Sequence, residues 1–222
     1  MKKLALVVFD LIFRGFRKIY RNFFPVPSHS ELLRRKQVLD YNFLVSKGVE
    51  TELGYVTLYG EPLISKVANS RIVMGKGVVI ISDSQYNRSG INHPAIIATE
   101  APGAEIIIGD GVGMSGSSIV AVEKIQIGDY TMLGANTNIY ETDFHCMDAN
   151  QRLNQKNILD AKYAPIYIGK QCWLASNVTV LKGVKIGDRA VVGAMSLVNR
   201  DVPADAVVAG VPAKTIYINQ QN

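Results

Sequence analysis

The residues best suited to chemistry lie in one polar stretch, Tyr140-Glu-Thr-Asp-Phe-His-Cys-Met-Asp148. An imidazole titrates at about 6.5, so His145 carries the side chain of a general base for a hydroxyl or an amine near neutral pH. Three carboxylates, Glu141, Asp143 and Asp148, are close enough in the chain to orient its ring, and Asp143 is the nearest. A lone loop histidine is by itself an ordinary surface residue. His29, in a Pro-Ser linker, and His93, in Asn92-His-Pro94, read that way, His93 having the alternative of lining an acceptor pocket. Cys146 follows His145 directly, but neighbouring side chains in extended chain point apart, which places the pair poorly for a thiolate nucleophile. Three scattered histidines with no paired carboxylate spacing suit no metal ion, and none is expected.

The segments on either side must hold this stretch in place, and they repeat every six residues. Ile108-Gly-Asp-Gly-Val-Gly is followed by registers at Met114 and Val120, then, after one extra residue, at Ile127, Leu133 and Ile139. A second unbroken block runs through Ile168, Leu174, Val180, Ile186, Val192 and Val198. An apolar residue at every sixth position, mostly followed by Gly or Ala, suits coils of short flat strands. Each strand points one aliphatic side chain inward, and each corner needs little bulk. Gly-rich hairpins would not keep one phase from Ile168 to Val198, so the expected class is all-β, a parallel β-helix preceded by helical segments. The phase breaks between Ile139 and Ile168, which makes residues 140–166 an inserted loop on a rigid scaffold, a common carrier of function.

These repeats resemble those of the hexapeptide-repeat acyltransferases over about residues 70–217, most tightly from Ile166 to Lys214. Cys172-Trp-Leu-Ala-Ser-Asn, Gly183-Val-Lys-Ile-Gly-Asp, Asp201-Val-Pro and Ala209-Gly-Val-Pro-Ala-Lys214 carry the likeness. It implies a left-handed winding, an exception to the usual right-handed crossover, and a homotrimer. The stretch around His145 is similar to the catalytic loop of maltose and galactoside acetyltransferases, and especially to a Thr-Asp-Phe-His version in sugar-modifying relatives. There the loop histidine takes the acceptor's proton and acetyl-CoA is the donor. Position by position the resemblance points to Ser176, Ala194, Asn199, Arg200 and Lys214 for CoA. The small corner residues would let backbone approach the pantetheine arm, and the cations would neutralise phosphate. The implied acceptor is sugar-like, O-acetylated in polysaccharide or surface-glycan synthesis. An N-acetyltransferase of an amino-sugar nucleotide or an antibiotic would use the same base and donor, and a catalytically silent β-helix scaffold is the non-enzymatic alternative. Ala175 stands where the family has Gly and Val211 where it has Asn. The segment from Ser82 to Pro102 lies outside the compact maltose-type pattern, which leaves the acceptor open.

With 222 residues, 48% of them hydrophobic, the chain is expected to hold one main domain. A helical segment covers 1–50, the β-helix 51–217 and a short tail 218–222. The net charge of +5 is carried entirely by Lys2, Lys3, Arg14, Arg17, Lys18 and Arg21 against Asp10, so the basicity belongs to a tail and not to a nucleic-acid-binding face. Residues 3–24 read as an amphipathic helix with Leu4, Val7, Val8, Leu11, Phe16, Ile19 and Phe23 on one sector, packed on its own trimer or lying on an anionic membrane surface. Asp10 and Arg14 interrupt the apolar run, which falls short of the roughly 20 residues of a spanning helix and lacks a signal-peptide cleavage site. Ser30 is expected to cap a second short helix whose Leu32, Leu33, Val38 and Leu39 pack on the first coils. Two cysteines, Cys146 and Cys172, make neither a metal site nor a disulfide framework. A reducing compartment follows, hence a cytoplasmic protein, with peripheral contact at the inner face of the membrane if the tail binds lipid.

Overall fold

The computed structural model describes residues 28–218, so the amphipathic segment expected over 3–24 and the end of the C-terminal tail lie outside the described residues. Backbone contacts divide the chain into Met1–Lys36 and Gln37–Asn222. In the first unit the helix α1 (His29–Ser46) begins, and its cap is Ser28, whose Oγ accepts from Glu31 N at 3.2 Å. Ser30, the expected cap, already lies inside the first turn. Leu32 and Leu33 are about half exposed, so they do not form the buried side expected of them.

In the second unit Val38 and Leu39 are exposed as well, and the buried side chains of α1 are Asp40 and Leu44. The docking contact is polar at its centre for a reason set by the sheet it meets. Strand β2 (Val56–Tyr59) is the end strand of its sheet, where a row of backbone groups has no ladder partner, and Asp40 Oδ2 accepts from Leu58 N at 3.0 Å.

From Val49 onward the chain winds through three sheets, numbered along the chain. The first sheet stacks β1 (Val49–Glu50), β4 (Arg71–Met74), β7 (Glu105–Ile108), β10 (Lys124–Ile127), β13 (Ile166–Ile168) and β16 (Lys185–Ile186). The second stacks β2, β5 (Val78–Ile81), β8 (Gly113–Ser115), β11 (Met132–Leu133), β14 (Trp173–Leu174), β17 (Val191–Val192) and β19 (Ala206–Gly210), with β20 (Ala213–Ile218) antiparallel at its end. The third stacks β3 (Leu63–Lys66), β6 (Ile96–Thr99), β9 (Ser118–Ala121), β12 (Asn138–Tyr140), β15 (Thr179–Leu181) and β18 (Leu197–Val198). All other ladders in the three sheets are parallel, and the sheets wrap one core as the left-handed β-helix expected from the sequence.

Eleven of the twelve repeat positions read from the sequence point into the single core, among them Ile108, Leu133, Ile139, Ile168, Val180 and Val198. The exception is Val120. Ile119, with no exposed surface, pairs with Ile139 and fills the core position, so the step before it is five residues and the step on to Ile127 is eight. The surplus widens the corner at Val122 and Glu123, where the third sheet hands over to the first.

Close stacking explains the glycines that follow the aliphatic residues. A Cβ on Gly187 would come within 2.3 Å of Ala204 N, and one on Gly128 within 2.6 Å of Gly169 C. The corner from the second sheet to the third turns through left-handed residues stacked coil upon coil: Asn136, Asn177 and Met195, with φ of 60°, 58° and 61°.

Candidate active site

The long insertion leaves the scaffold after β12 and returns at β13, at the corner between the third and first sheets. Its two limbs pair antiparallel through a Thr142–Tyr163 bridge, with Asp143 N donating to Lys162 O at 2.9 Å and Ala164 N to Glu141 O at 3.1 Å. Glu141 is fully buried and its carboxylate accepts from the backbone N–H groups of Val122, Glu123 and Lys124, at 2.5 to 3.1 Å. These donors belong to the widened corner of the coil below, where the strand ladder leaves them to a side-chain acceptor. Burial pushes the Glu141 carboxyl up from its ordinary value, against the opposing pull of the three N–H groups.

The middle of the loop is fixed by its own polar side chains. Gln155 accepts from Cys146 N at 2.9 Å and donates to Phe144 O at 2.8 Å, while Arg152 donates to the carbonyls of Cys146 and Met147, each at 2.9 Å. Asp148 caps the one-turn helix α2 (Ala149–Leu153) by accepting from Gln151 N. Cys146 is buried with its thiol donating to Asp160 O at 3.1 Å, a structural tie that agrees with setting the thiol aside as a nucleophile.

Phe144 stands in the left-handed region at φ 60°, an uncommon conformation for a bulky side chain, and His145 N donates to Asp143 O at 2.6 Å across it. The Tyr140 ring meets Phe144 edge to face at 5.5 Å and holds the turn on the scaffold. The outcome is a pinned backbone with the His145 side chain exposed and free of hydrogen bonds among the described residues.

Of the three carboxylates near His145, Glu141 is occupied by the coil below and Asp148 by the α2 cap. Asp143 is held on one oxygen: Lys182 Nζ lies 2.5 Å from Oδ1, while Oδ2 is buried with no partner. Lys182 was invisible to sequence reading as a site residue. It sits in Leu181-Lys-Gly183, an ordinary repeat corner, and only the stacking of β15 on β12 brings it to residue 143.

The residues expected to hold CoA occupy two corners and a strand. Ser176 and Ala194 stack at the corner between the second and third sheets, where Asn177 N donates to Ala135 O and Met195 N to Ser176 O. Asn199 and Arg200 follow β18 at the corner that also bears the His145 loop, and Lys214 is on β20. Asn199, Arg200 and Lys214 are exposed, and neither cation has an ion pair among the described residues. A single chain therefore does not bring Ser176 and Ala194 to the corner of His145. His93 Nδ1 lies 2.7 Å from Pro94 O, as suits a turn residue, and His29 opens α1. No group of three or more metal-ligating side chains occurs among the described residues.

Residues 165–200 match the family described as bacterial transferase hexapeptide (six repeats). The protein named for colanic acid biosynthesis acetyltransferase WcaF in Escherichia coli is 37% identical over 105 residues, covering 42% of this chain and 58% of that relative. The galactoside O-acetyltransferase of Escherichia coli is 36% identical over 100 residues, 45% of this chain and 46% of the relative. The chain thus spans about half the length of the curated relatives it matches. Among solved structures, the polySia-specific acetyltransferase NeuO superposes with a TM-score of 0.53 at 23% identity, covering 74% of this chain and 67% of that one, a likeness of fold. Residues 165–200 thus match the hexapeptide repeat of bacterial transferases within a left-handed β-helix, and the matched segments are similar to proteins named as sugar and polysaccharide O-acetyltransferases.

Proposed function

We propose that the protein is an acetyl-CoA-dependent acetyltransferase that O-acetylates a sugar hydroxyl of a surface polysaccharide or glycan, with His145 as general base. The observation that carries this reading is the exposed His145 side chain on a turn whose backbone is tied at Asp143, Phe144 and Cys146. A base held on a rigid element can approach an acceptor with little reorganisation.

In this mechanism the acceptor hydroxyl gives its proton to His145 as its oxygen attacks the thioester carbonyl. The tetrahedral intermediate collapses with cleavage of the C–S bond, and the imidazolium returns the proton to the departing CoA thiolate. The donor fits the residues present: Ser176 and Ala194 leave corner backbone accessible, and Arg200 and Lys214 offer exposed cations to phosphate. Because Ser176 and Ala194 lie at a different corner from His145, the working site joins two copies, in keeping with a homotrimer.

The test is thiol release from acetyl-CoA across a panel of sugar and amino-sugar acceptors, with the oligomer measured by light scattering. A hydroxyl-dependent release from a particle of about three protomers is expected. Release only with amine acceptors would replace O-transfer by N-transfer, and a monomer would remove the shared site.

A further inference from the structure

We propose that Lys182 is a positioning residue for catalysis, acting on His145 through Asp143; the inference rests on the acetyltransferase reading above. Tyr140 and Leu181 are register partners on β12 and β15, so Lys182 lies one coil above the point where the loop departs. Its ammonium, 28% exposed, reaches Asp143, 22% exposed, at 2.5 Å. A pair this withdrawn from water interacts more strongly than a surface pair and is less screened by salt. The loop is thereby gripped twice, from the coil below through Glu141 and from the coil above through Lys182.

The grip leaves a particular vacancy. Lys182 takes one oxygen of Asp143, and the other is buried without a donor. Two residues on, the His145 ring also has no hydrogen-bond partner among the described residues. The turn at Phe144, closed by the 2.6 Å bond from His145 N to Asp143 O, keeps the two residues adjacent. In the working enzyme the exposed ring turns its Nδ1–H to Asp143 Oδ2, which fixes the tautomer, and Nε2 then presents its lone pair to the acceptor hydroxyl. Lys182 keeps the carboxylate in place; without it Asp143 turns to water and the ring takes either tautomer.

Kinetics of Lys182→Met, Lys182→Arg, Asp143→Asn and His145→Ala, alone and combined, test the assignment on the full chain. Lys182→Met is expected to lower kcat by about 10²-fold, the scale of a small misplacement of a reacting group, with the KM for acetyl-CoA unchanged. Lys182→Arg restores most of the loss. Adding Lys182→Met to Asp143→Asn or to His145→Ala costs nothing further, because the three act as one chain. Independently of turnover, imidazole nitrogen NMR shifts report one His145 tautomer, protonated on Nδ1, in the wild type and a mixture in Lys182→Met. Should Lys182→Met not fold, Lys182→Gln carries the same comparisons.

A wild-type kcat in the folded variant, or a loss that persists in the Asp143→Asn background, overturns the role of Lys182. Full activity in His145→Ala would instead sink the general-base reading itself, so the two failures are distinguishable.

Discussion

Two segments leave the β-helix at different corners, residues 82–95 between β5 and β6 and residues 141–165 between β12 and β13. The first is a sequence of local turns. Asp83 accepts from Gln85 N at 2.9 Å, Asn87 from Ser89 N at 2.8 Å, and the segment rests on the scaffold through Asn136, whose Oδ1 accepts from Asn92 N at 2.9 Å. It also packs so closely on Gly116 that a Cβ there would lie 2.8 Å from Ile91 Cβ and 2.9 Å from His93 O. The second segment is anchored by ionisable side chains drawn out of water: Glu141 completely, Asp143 and Lys182 in large part. Withdrawing charge from solvent is costly unless every partner is met. At this corner a fully buried carboxylate and a largely withdrawn ion pair hold one backbone geometry.

The largest effect expected of this contrast is kinetic. His145→Ala should slow transfer by about 10²- to 10⁴-fold while the oligomer and the melting temperature stay as in the wild type, since the ring is exposed and supports no packing. Steady-state turnover beside a thermal melt checks it, and full activity in the variant would remove the functional half of the contrast.

A smaller effect, on stability, is expected at Glu141. Glu141→Ala strands three N–H groups, that of Val122 buried, and should cost about 2 to 4 kcal/mol in denaturant unfolding, well above an ordinary surface change. The pH dependence has a definite sign. Burial raises the folded-state Glu141 carboxyl above its ordinary value of 4.5, so the folded protein holds the proton more tightly than the unfolded chain. Its contribution is fully present below 4.5 and declines as pH rises through the raised folded value. Melts of the wild type and Glu141→Gln should therefore diverge in favour of the wild type as pH falls toward 4.5. The opposite trend would mean that the N–H groups outweigh burial.

The smallest effect belongs to the first segment. Asn136→Ala removes its side-chain tie to Asn92 and should cost about 1 kcal/mol, with the turnover number left close to that of the wild type. A large fall in turnover would show that both segments serve the chemistry and would erase the distinction between them.

Sequence by itself determined the coil. A six-residue period has one economical solution in three dimensions, and Ile108, Leu133, Val180 and their counterparts were core residues before any coordinates, because the phase of a repeat is a statement about which side faces in. It also singled out His145, whose polar surroundings break that phase. The register slip at Val120 was illegible, since Ile119 and Val120 are both β-branched and a single step of five residues leaves no compositional mark. The cap at Ser28 and the docking of α1 through Asp40 and Leu44 likewise escaped, because the exposed leucines of that helix follow the helical period as well as buried ones do. Tertiary structure alone decided which carboxylate is available to His145. Glu141, Asp143 and Asp148 all lie close to His145 along the chain, and nearness alone favours Asp143. They differ in what surrounds them: three backbone N–H groups of the coil below for the first, the ammonium of Lys182 on the coil above for the second, the open turn of α2 in the same loop for the third. The partners of Glu141 and Asp143 lie up to 39 residues away in sequence and one coil away in space, a proximity created only when strands stack.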